Sequence, residues 1–160
     1  MNAVGEGRAF LLNSKQADSG AATVRILLVD DFELFRTLAY SVLQEQPRYE
    51  IVGEAADGLE AVQRAGELKP DLVVLDIDLP KLNGFEVARR IRRCSPNSTI
   101  LFLTAHSDSE LARQALNAGA RGYVLKVDVA KELVKAAKAV LSGERFVSRR
   151  LKESDANENR

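Results

Sequence analysis

The stretch that decides the fold is Pro70-Asp71-Leu72-Val73-Val74-Leu75-Asp76-Ile77-Asp78-Leu79-Pro80. Leu72, Val73, Val74 and Leu75 form an unbroken apolar run. A run this short and uniformly apolar predicts a strand buried on both faces, the kind found in parallel sheets. Pro80 stops any continuation of the strand. The run ends in Asp76, and a carboxylate at the end of a buried strand is costly unless something compensates it. In open α/β sheets, ligands gather at that end of the strands. Taken alone, Asp76 reads equally well as a helix cap or a turn aspartate.

Upstream, Val24–Val29 is a second apolar strand, and it ends in Asp30-Asp31. Leu34, Leu38 and Val42 then recur at helical spacing, with Pro47 as the stop. Tyr49–Ala55 is a third strand candidate, closed by the turn signal Asp57-Gly58. Ala61, Val62, Ala65 and Leu68 mark the next helix. Downstream, Lys81-Leu82-Asn83-Gly84 is a loop, and Val87, Ile91 and Cys94 line one face of a helix. Its other face carries Arg89, Arg90, Arg92 and Arg93, the pattern of a solvated side. Thr99–Thr104 is a fourth strand, and Ser107 or Asp108 is placed to cap the helix after it, which stops at Gly119. Gly122–Leu125 is a fifth strand, followed by Lys126. Asp128 is placed to cap a last helix over residues 129–142, with Gly143 as its stop.

Five alternations of strand and helix with short loops demand a parallel sheet, right-handed crossovers and helices on both faces. Residues 1–23 are rich in small polar residues without periodicity and predict a mobile leader, with Phe10-Leu11-Leu12 as its apolar segment. Residues 144–160 turn polar and mixed in charge after Phe146 and Val147, and predict a frayed tail or linker. The chain of 160 residues is 46% hydrophobic and 29% charged, with 23 basic and 23 acidic residues, which is ordinary for a globular protein. That balance gives no reason to expect nucleic acid as a partner of the chain itself. One cysteine, Cys94, excludes an internal disulfide and a cysteine-built zinc site, and fits a reducing cytoplasm. No apolar run is long enough to span a bilayer.

Parallel strands place their C-terminal ends on one rim. Four of them end in functional groups there: Asp30-Asp31, Asp76, Thr104 and Lys126. Gathered carboxylates repel one another, and a divalent cation relieves the repulsion. An all-oxygen set of few ligands suits Mg²⁺. Thr104 and Lys126 have no part in holding a metal, but suit an anion beside it. A metal, a lysine and a hydroxyl around one carboxylate are the equipment of phosphoryl transfer. One carboxylate is then the acceptor, forming an aspartyl phosphate, and Asp76 on the middle strand is the best candidate. Each residue alone has a duller reading, as a cap, a strand end or a loop lysine; only the joint pattern points to chemistry.

These motifs resemble the response-regulator receiver domain of bacterial two-component signalling. Val-Asp-Asp-Phe at 29–32, the stretch 71–80 with Gly84, Leu-Thr-Ala at 103–105 and Gly-Tyr-Val-Leu-Lys at 122–126 carry the likeness, in order, across residues 24–143. The resemblance implies a five-stranded flavodoxin-like sheet of order 2-1-3-4-5. It implies Asp76 as phosphoacceptor, and Mg²⁺ held by Asp31, Asp76, Asp30 through water, and the backbone carbonyl of Asp78. Thr104 and Lys126 would contact the phosphoryl group. Tyr123 matches the family's aromatic switch, against the plainer reading of a strand aromatic covering the sheet edge. Asp78 and His106 match positions that tune phosphoryl lifetime, although a lone loop histidine is usually a bystander. The implied partners are a sensor histidine kinase and a second copy of the chain; no membrane contact is implied.

Two features depart from the common pattern. Val127 stands where many receivers have a cis-proline. Lys126-Val127-Asp128 and the exit Gly-Glu-Arg-Phe-Val-Ser-Arg-Arg-Leu resemble the NarL/FixJ (LuxR-type) branch, in which a DNA-binding helix-turn-helix follows. The sequence ends at Arg160, before such a domain, so it reads as part of a longer transcription regulator or as a stand-alone receiver working through protein contacts. It is expected to be a phosphoacceptor switch and not an enzyme that turns over a substrate. From another class, Val-Val-Leu-Asp76-Ile-Asp78 also resembles the nucleophile–acid pair of haloacid-dehalogenase-like phosphatases. That fold expects its acidic metal pair after the lysine, whereas Asp30-Asp31 come before it.

Overall fold

The computed structural model describes residues 22–158. Residues 1–21 of the expected leader, including Phe10, Leu11 and Leu12, lie outside the described residues. The chain runs β1 (Val24–Val29), α1 (Glu33–Gln44), β2 (Tyr49–Ala55), α2 (Gly58–Leu68), β3 (Leu72–Leu75), α3 (Gly84–Cys94), β4 (Thr99–Thr104), α4 (Ser109–Asn117), β5 (Gly122–Leu125), a 3-10 turn (Lys126–Asp128), α5 (Val129–Leu141), β6 (Phe146–Val147) and α6 (Arg149–Glu158). The strands form one sheet in the order β2-β1-β3-β4-β5-β6, and every pairing is parallel.

The sheet has six strands where five were expected; the first five keep the expected order. The extra strand comes from the tail predicted to fray. Phe146 N–H bonds Arg121 O at 3.0 Å and Ser148 N–H bonds Tyr123 O at 2.9 Å. A strand at the edge of a sheet presents unpaired backbone groups, and the tail satisfies those of β5. Leu151, on α6, is only 2% exposed and joins the core. Tyr123 therefore does not cover a sheet edge; it lies in the sheet interior and is fully buried.

Burial alternates along the strands as side chains alternate between faces. Leu27, Val29, Val73 and Leu75 pack against Ala61 and Ala65 of α2, Val87 and Ile91 of α3, and Ala112 and Ala115 of α4. Ile26, Leu28, Val74, Leu101 and Leu103 pack on the other face against Ala39 and Leu43 of α1 and Leu133, Ala136 and Val140 of α5. With both faces covered, β3 has no polar alternation, which is why it reads as an unbroken apolar run. Each such leucine contributes about 1.5–3 kcal/mol when fully buried. Alanines on the helix faces let the helices sit close to the sheet.

Three helix starts follow the local capping rules, while α1, after Phe32, and α5, after Asp128, begin without a side-chain cap bond. Asp57, Asn83 and Asp108 cap α2, α3 and α4, accepting from the N–H groups of Glu60, Glu86 and Glu110. Gly119 follows α4 at φ +107°, a left-handed conformation that suits glycine. Asp128 was expected to cap α5, but its side chain makes no cap bond. Its backbone, at φ −106° and ψ 15°, belongs to the 3-10 turn and is not in the extended form that turns a cap side chain onto the helix end. Its carboxylate instead meets Arg150, through Nε at 3.1 and 3.0 Å.

Candidate functional site

The C-terminal ends of β1, β3, β4 and β5 converge as the topology requires. Asp30, Asp31 and Asp76 each bring a carboxylate oxygen within 4.8 Å of the others. Lys126 enters from the end of β5. Its Nζ lies 2.6 Å from Asp30 Oδ2 and 3.0 Å from Asp76 Oδ2. The remaining oxygens are held by backbone: Phe32 N–H donates to Asp30 Oδ1 at 2.8 Å, and Ile77 N–H donates to Asp76 Oδ1 at 2.7 Å. These bonds fix both carboxylates without using a side chain. Asp31 is exposed, and with Asp78, Pro80, Asn83 and Phe85 it lines an open cleft of about 510 Å³.

Three carboxylates face one ammonium, so the cluster is short of positive charge. Burial holds the Asp76 carboxyl above its ordinary pKa; Lys126 opposes that shift, and the charge of Asp30 adds to it. Burial works against the Lys126 ammonium, but the hydrogen bonds with Asp30 and Asp76 outweigh it and hold its pKa above the usual lysine value. Both groups shift toward keeping a proton, Asp76 chiefly through burial and Lys126 through its two carboxylate partners. A hard divalent cation bound by oxygen fits this donor set.

Thr104 is fully buried at the end of β4, and its Oγ1 accepts from His106 N–H at 3.3 Å. Tyr123 OH donates to His106 O at 2.8 Å, which ties β5 to the loop after β4. Burial, followed by nearby carboxylates, pushes the Tyr123 hydroxyl pKa upward, so it stays a donor. His106 Nε2 lies 2.5 Å from Oδ2 of Asp78, which lines the cleft. Both the ring and the carbonyl of the lone histidine are thus engaged. The site residues expected from the sequence, Asp30, Asp31, Asp76, Asp78, Thr104, His106, Tyr123 and Lys126, fall in this one region.

Sequence reasoning missed three supports, and named a fourth, Gly84, without its steric role. The Phe35 ring lies under Lys126, 4.5 Å from Nζ to the centroid. Arg36 Nη1 donates to Asp30 O at 2.7 Å, and Arg36 Nε pairs with Glu54 at 3.0 Å. Leu125 N–H donates to the buried Ser148 Oγ at 2.8 Å. A Cβ at Gly84 would lie 2.4 Å from Asp76 O, so only glycine lets α3 start this close to Asp76. Gly84 stood in the motif as a visible signal. Phe35 with Lys126, Arg36 with Glu54, and Leu125 with Ser148 join distant parts of the chain and have no local signature. The peptide between Lys126 and Val127 is trans, as are all peptides among the described residues. No helix among the described residues is long and apolar enough to cross a membrane.

Residues 26–138 match the response regulator receiver domain family. The chain is 40% identical over 119 residues to the virulence-factor transcription regulator BvgA of Bordetella pertussis, covering 74% of this chain and 56% of that protein. It is 37% identical over 122 residues to the response regulator VraR of Staphylococcus aureus, covering 76% and 58%. The chain thus spans a little over half the length of these curated relatives. A crystal structure of a LuxR-family two-component response regulator from Aurantimonas sp. SI85-9A1 superposes with a TM-score of 0.80 at 40% identity, covering 86% of this chain and 99% of that one. Fold, rim chemistry and these likenesses agree, and the chain belongs to the response-regulator receiver-domain family of two-component signalling.

Proposed function

We propose that Asp76 accepts a phosphoryl group from a sensor histidine kinase and that the resulting charge switches an output surface. The observation that carries this reading is the convergence of Asp30, Asp31, Asp76 and Lys126 at one rim, with Thr104 buried beside them. A carboxylate oxygen of Asp76 forms the new bond to phosphorus, and the bond from phosphorus to the donor's leaving atom breaks. Asp30, Asp31 and Asp76, with the backbone carbonyl of Asp78, would hold Mg²⁺. When bound, that ion neutralises charge between the carboxylates and the incoming phosphoryl oxygens. Lys126 pairs with the phosphoryl group, and the Thr104 hydroxyl hydrogen-bonds it. Tyr123 follows Thr104 and reads out the change, while Asp78 and His106 tune how long the phosphoryl group survives. The bias falls on a two-state element reaching from Thr104 through α5.

The output in this reading is transcription regulation through a DNA-binding domain, in the cytoplasm; the relative BvgA, a transcription regulator, supports the regulatory part. A second copy of the chain is the natural partner of the switched state. The test is intact-mass spectrometry after incubation with acetyl phosphate and Mg²⁺. In that reaction acetate leaves as the phosphoryl group passes to Asp76. One phosphoryl group should be added, and none in Asp76→Asn or after chelation of the metal. Label that persists in Asp76→Asn would overturn the assignment.

A further inference from the structure

Lys126 sits in a short turn whose two ends are both held by the C-terminal segment. At one end, Leu125 N–H donates to Ser148 Oγ at 2.8 Å, and Ser148 is fully buried. At the other, the carboxylate of Asp128, only 6% exposed, takes both of its contacts from Arg150 Nε. Between them, Val127 is 72% exposed and adds little packing. The segment that supplies Ser148 and Arg150 is itself anchored, by the pairing of β6 with β5 and by the burial of Leu151. Lys126 reaches across to Asp30 and Asp76 from a turn that residues outside the five-strand domain fasten down.

We propose that Ser148 and Arg150 are positioning residues for phosphoryl acceptance, because they clamp the two ends of the turn that carries Lys126. The inference rests on the reading of Asp76 and Lys126 given above. Neither residue touches the reacting atoms; each acts through the place of the ammonium. Ser148 satisfies a backbone donor that would otherwise be buried and unpaired. Arg150 supplies the charge that keeps Asp128 folded inward and not turned to solvent. Loss of either lets the turn, and Lys126 with it, leave the carboxylates.

Ser148→Ala leaves a buried N–H without a partner and risks the fold, so Arg150→Ala is the deciding variant: Arg150 is 61% exposed. Arg150→Lys is the conservative rescue. Two readouts are taken on the full chain. The first is the rate at which succinic anhydride modifies Lys126, measured by peptide mass spectrometry against Lys131, Lys135 and Lys138 in the same molecule. The second is the rate of phosphoryl labelling of Asp76 by acetyl phosphate at saturating Mg²⁺. In Arg150→Ala, Lys126 should react severalfold faster while the three helix lysines do not change. Labelling should slow by about tenfold, the usual scale for a group that orients another. Arg150→Lys should return both toward wild type. Unchanged Lys126 reactivity in Arg150→Ala overturns the proposal, as does equal loss in Arg150→Ala and Arg150→Lys. If wild type takes no label, the acceptor reading of Asp76 fails, and the lysine reactivity decides the positioning role by itself.

Discussion

Gly84→Ala tests whether α3 is pressed onto the acceptor strand as closely as the geometry indicates. The added Cβ would meet Asp76 O at 2.4 Å, Ile77 Cα at 2.7 Å and Asp76 C at 3.1 Å. Carbon atoms settle about 3.5–4.0 Å apart, so Ile77 Cα at 2.7 Å has to withdraw by about 1 Å. All three atoms are backbone, and none can rotate away. Overpacking of this kind costs about 1–3 kcal/mol. Moving the helix also strains the bond from Gly84 N–H to Ile77 O, now 2.8 Å, and losing that bond adds about 1 kcal/mol. Alanine's better helix propensity returns at most about 1 kcal/mol. The net expectation is a loss of about 1–3 kcal/mol by urea unfolding with an unchanged slope. The control is Gly66→Ala on α2, where the nearest atoms to the new Cβ are Cys94 Cβ and Sγ at 3.8 Å. That variant should be as stable as wild type or more stable, by up to about 1 kcal/mol. Because the displaced backbone carries Asp76 itself, labelling should also fall by about a hundredfold for a shift near 1 Å. A Gly84→Ala protein within about 0.5 kcal/mol of wild type would refute the steric argument, since surface-like tolerance is incompatible with such contacts.

Three further outcomes are expected. Asp76 has a higher pKa folded than unfolded because burial disfavours its charge; its ionisation therefore costs stability above the folded pKa and costs nothing below the unfolded one. In metal-free buffer, Asp76→Asn should be more stable than wild type at pH 7, and the two stability curves should converge as pH falls toward about 4, the ordinary aspartate value; a gap that widens in acid contradicts this sign. Tyr123→Phe removes the hydroxyl bond to His106 O and should lower stability by about 1 kcal/mol in urea titration, and an unchanged midpoint would mean that the bond is idle. Added Mg²⁺ should raise the thermal midpoint, corresponding to about 2.7 kcal/mol at a hundredfold excess over Kd. Asp31→Asn should abolish that rise, and a full rise in Asp31→Asn would remove Asp31 from the donor set.

How much of this was visible in the chain depends on how local each cause is. The limits of β1, β2, β3, β4 and β5 coincide with those read from the sequence, where short β-rich stretches meet turn, charged or capping residues. The rim follows from topology: once the strands are parallel, Asp30, Asp76, Thr104 and Lys126 share one end whatever the loops do. What escaped were partnerships made at long range. Phe146 and Val147 form a strand only because β5 offers a free edge; a two-residue apolar patch in a charged tail carries no period of its own. Asp128 looked like a cap because aspartate before a helix usually is one. A 3-10 turn took its backbone out of cap geometry, and a guanidinium from residue 150 took its charge. Asp78 and His106 meet across 28 positions, through loops of two different strands.

The same long-range contacts explain why the switch would act through one side of the sheet. Before phosphorylation, Lys126 divides itself between Asp30 and Asp76. Once Asp76 carries a phosphoryl group, its carboxylate charge is gone and the negative charge lies farther out, on the phosphoryl oxygens. The groups that have to follow that charge are the ammonium of Lys126 and the hydroxyl of Thr104, anchored at the ends of β5 and β4. Asp30, on β1, is already held by Phe32 N–H and through its carbonyl by Arg36, so it has little freedom to follow. Under the proposed function the displacement would fall on β4 and β5, where Tyr123 bonds the loop after β4 and where β6 and Ser148 hold the outer edge of β5. The opposite edge, β2, meets the rim through Arg36, whose Nε pairs with Glu54 while its Nη1 holds Asp30 O, a contact that fastens Asp30 in place. On the reading proposed above, a charge added at the centre of the sheet would be read mainly on the β4–β5 side.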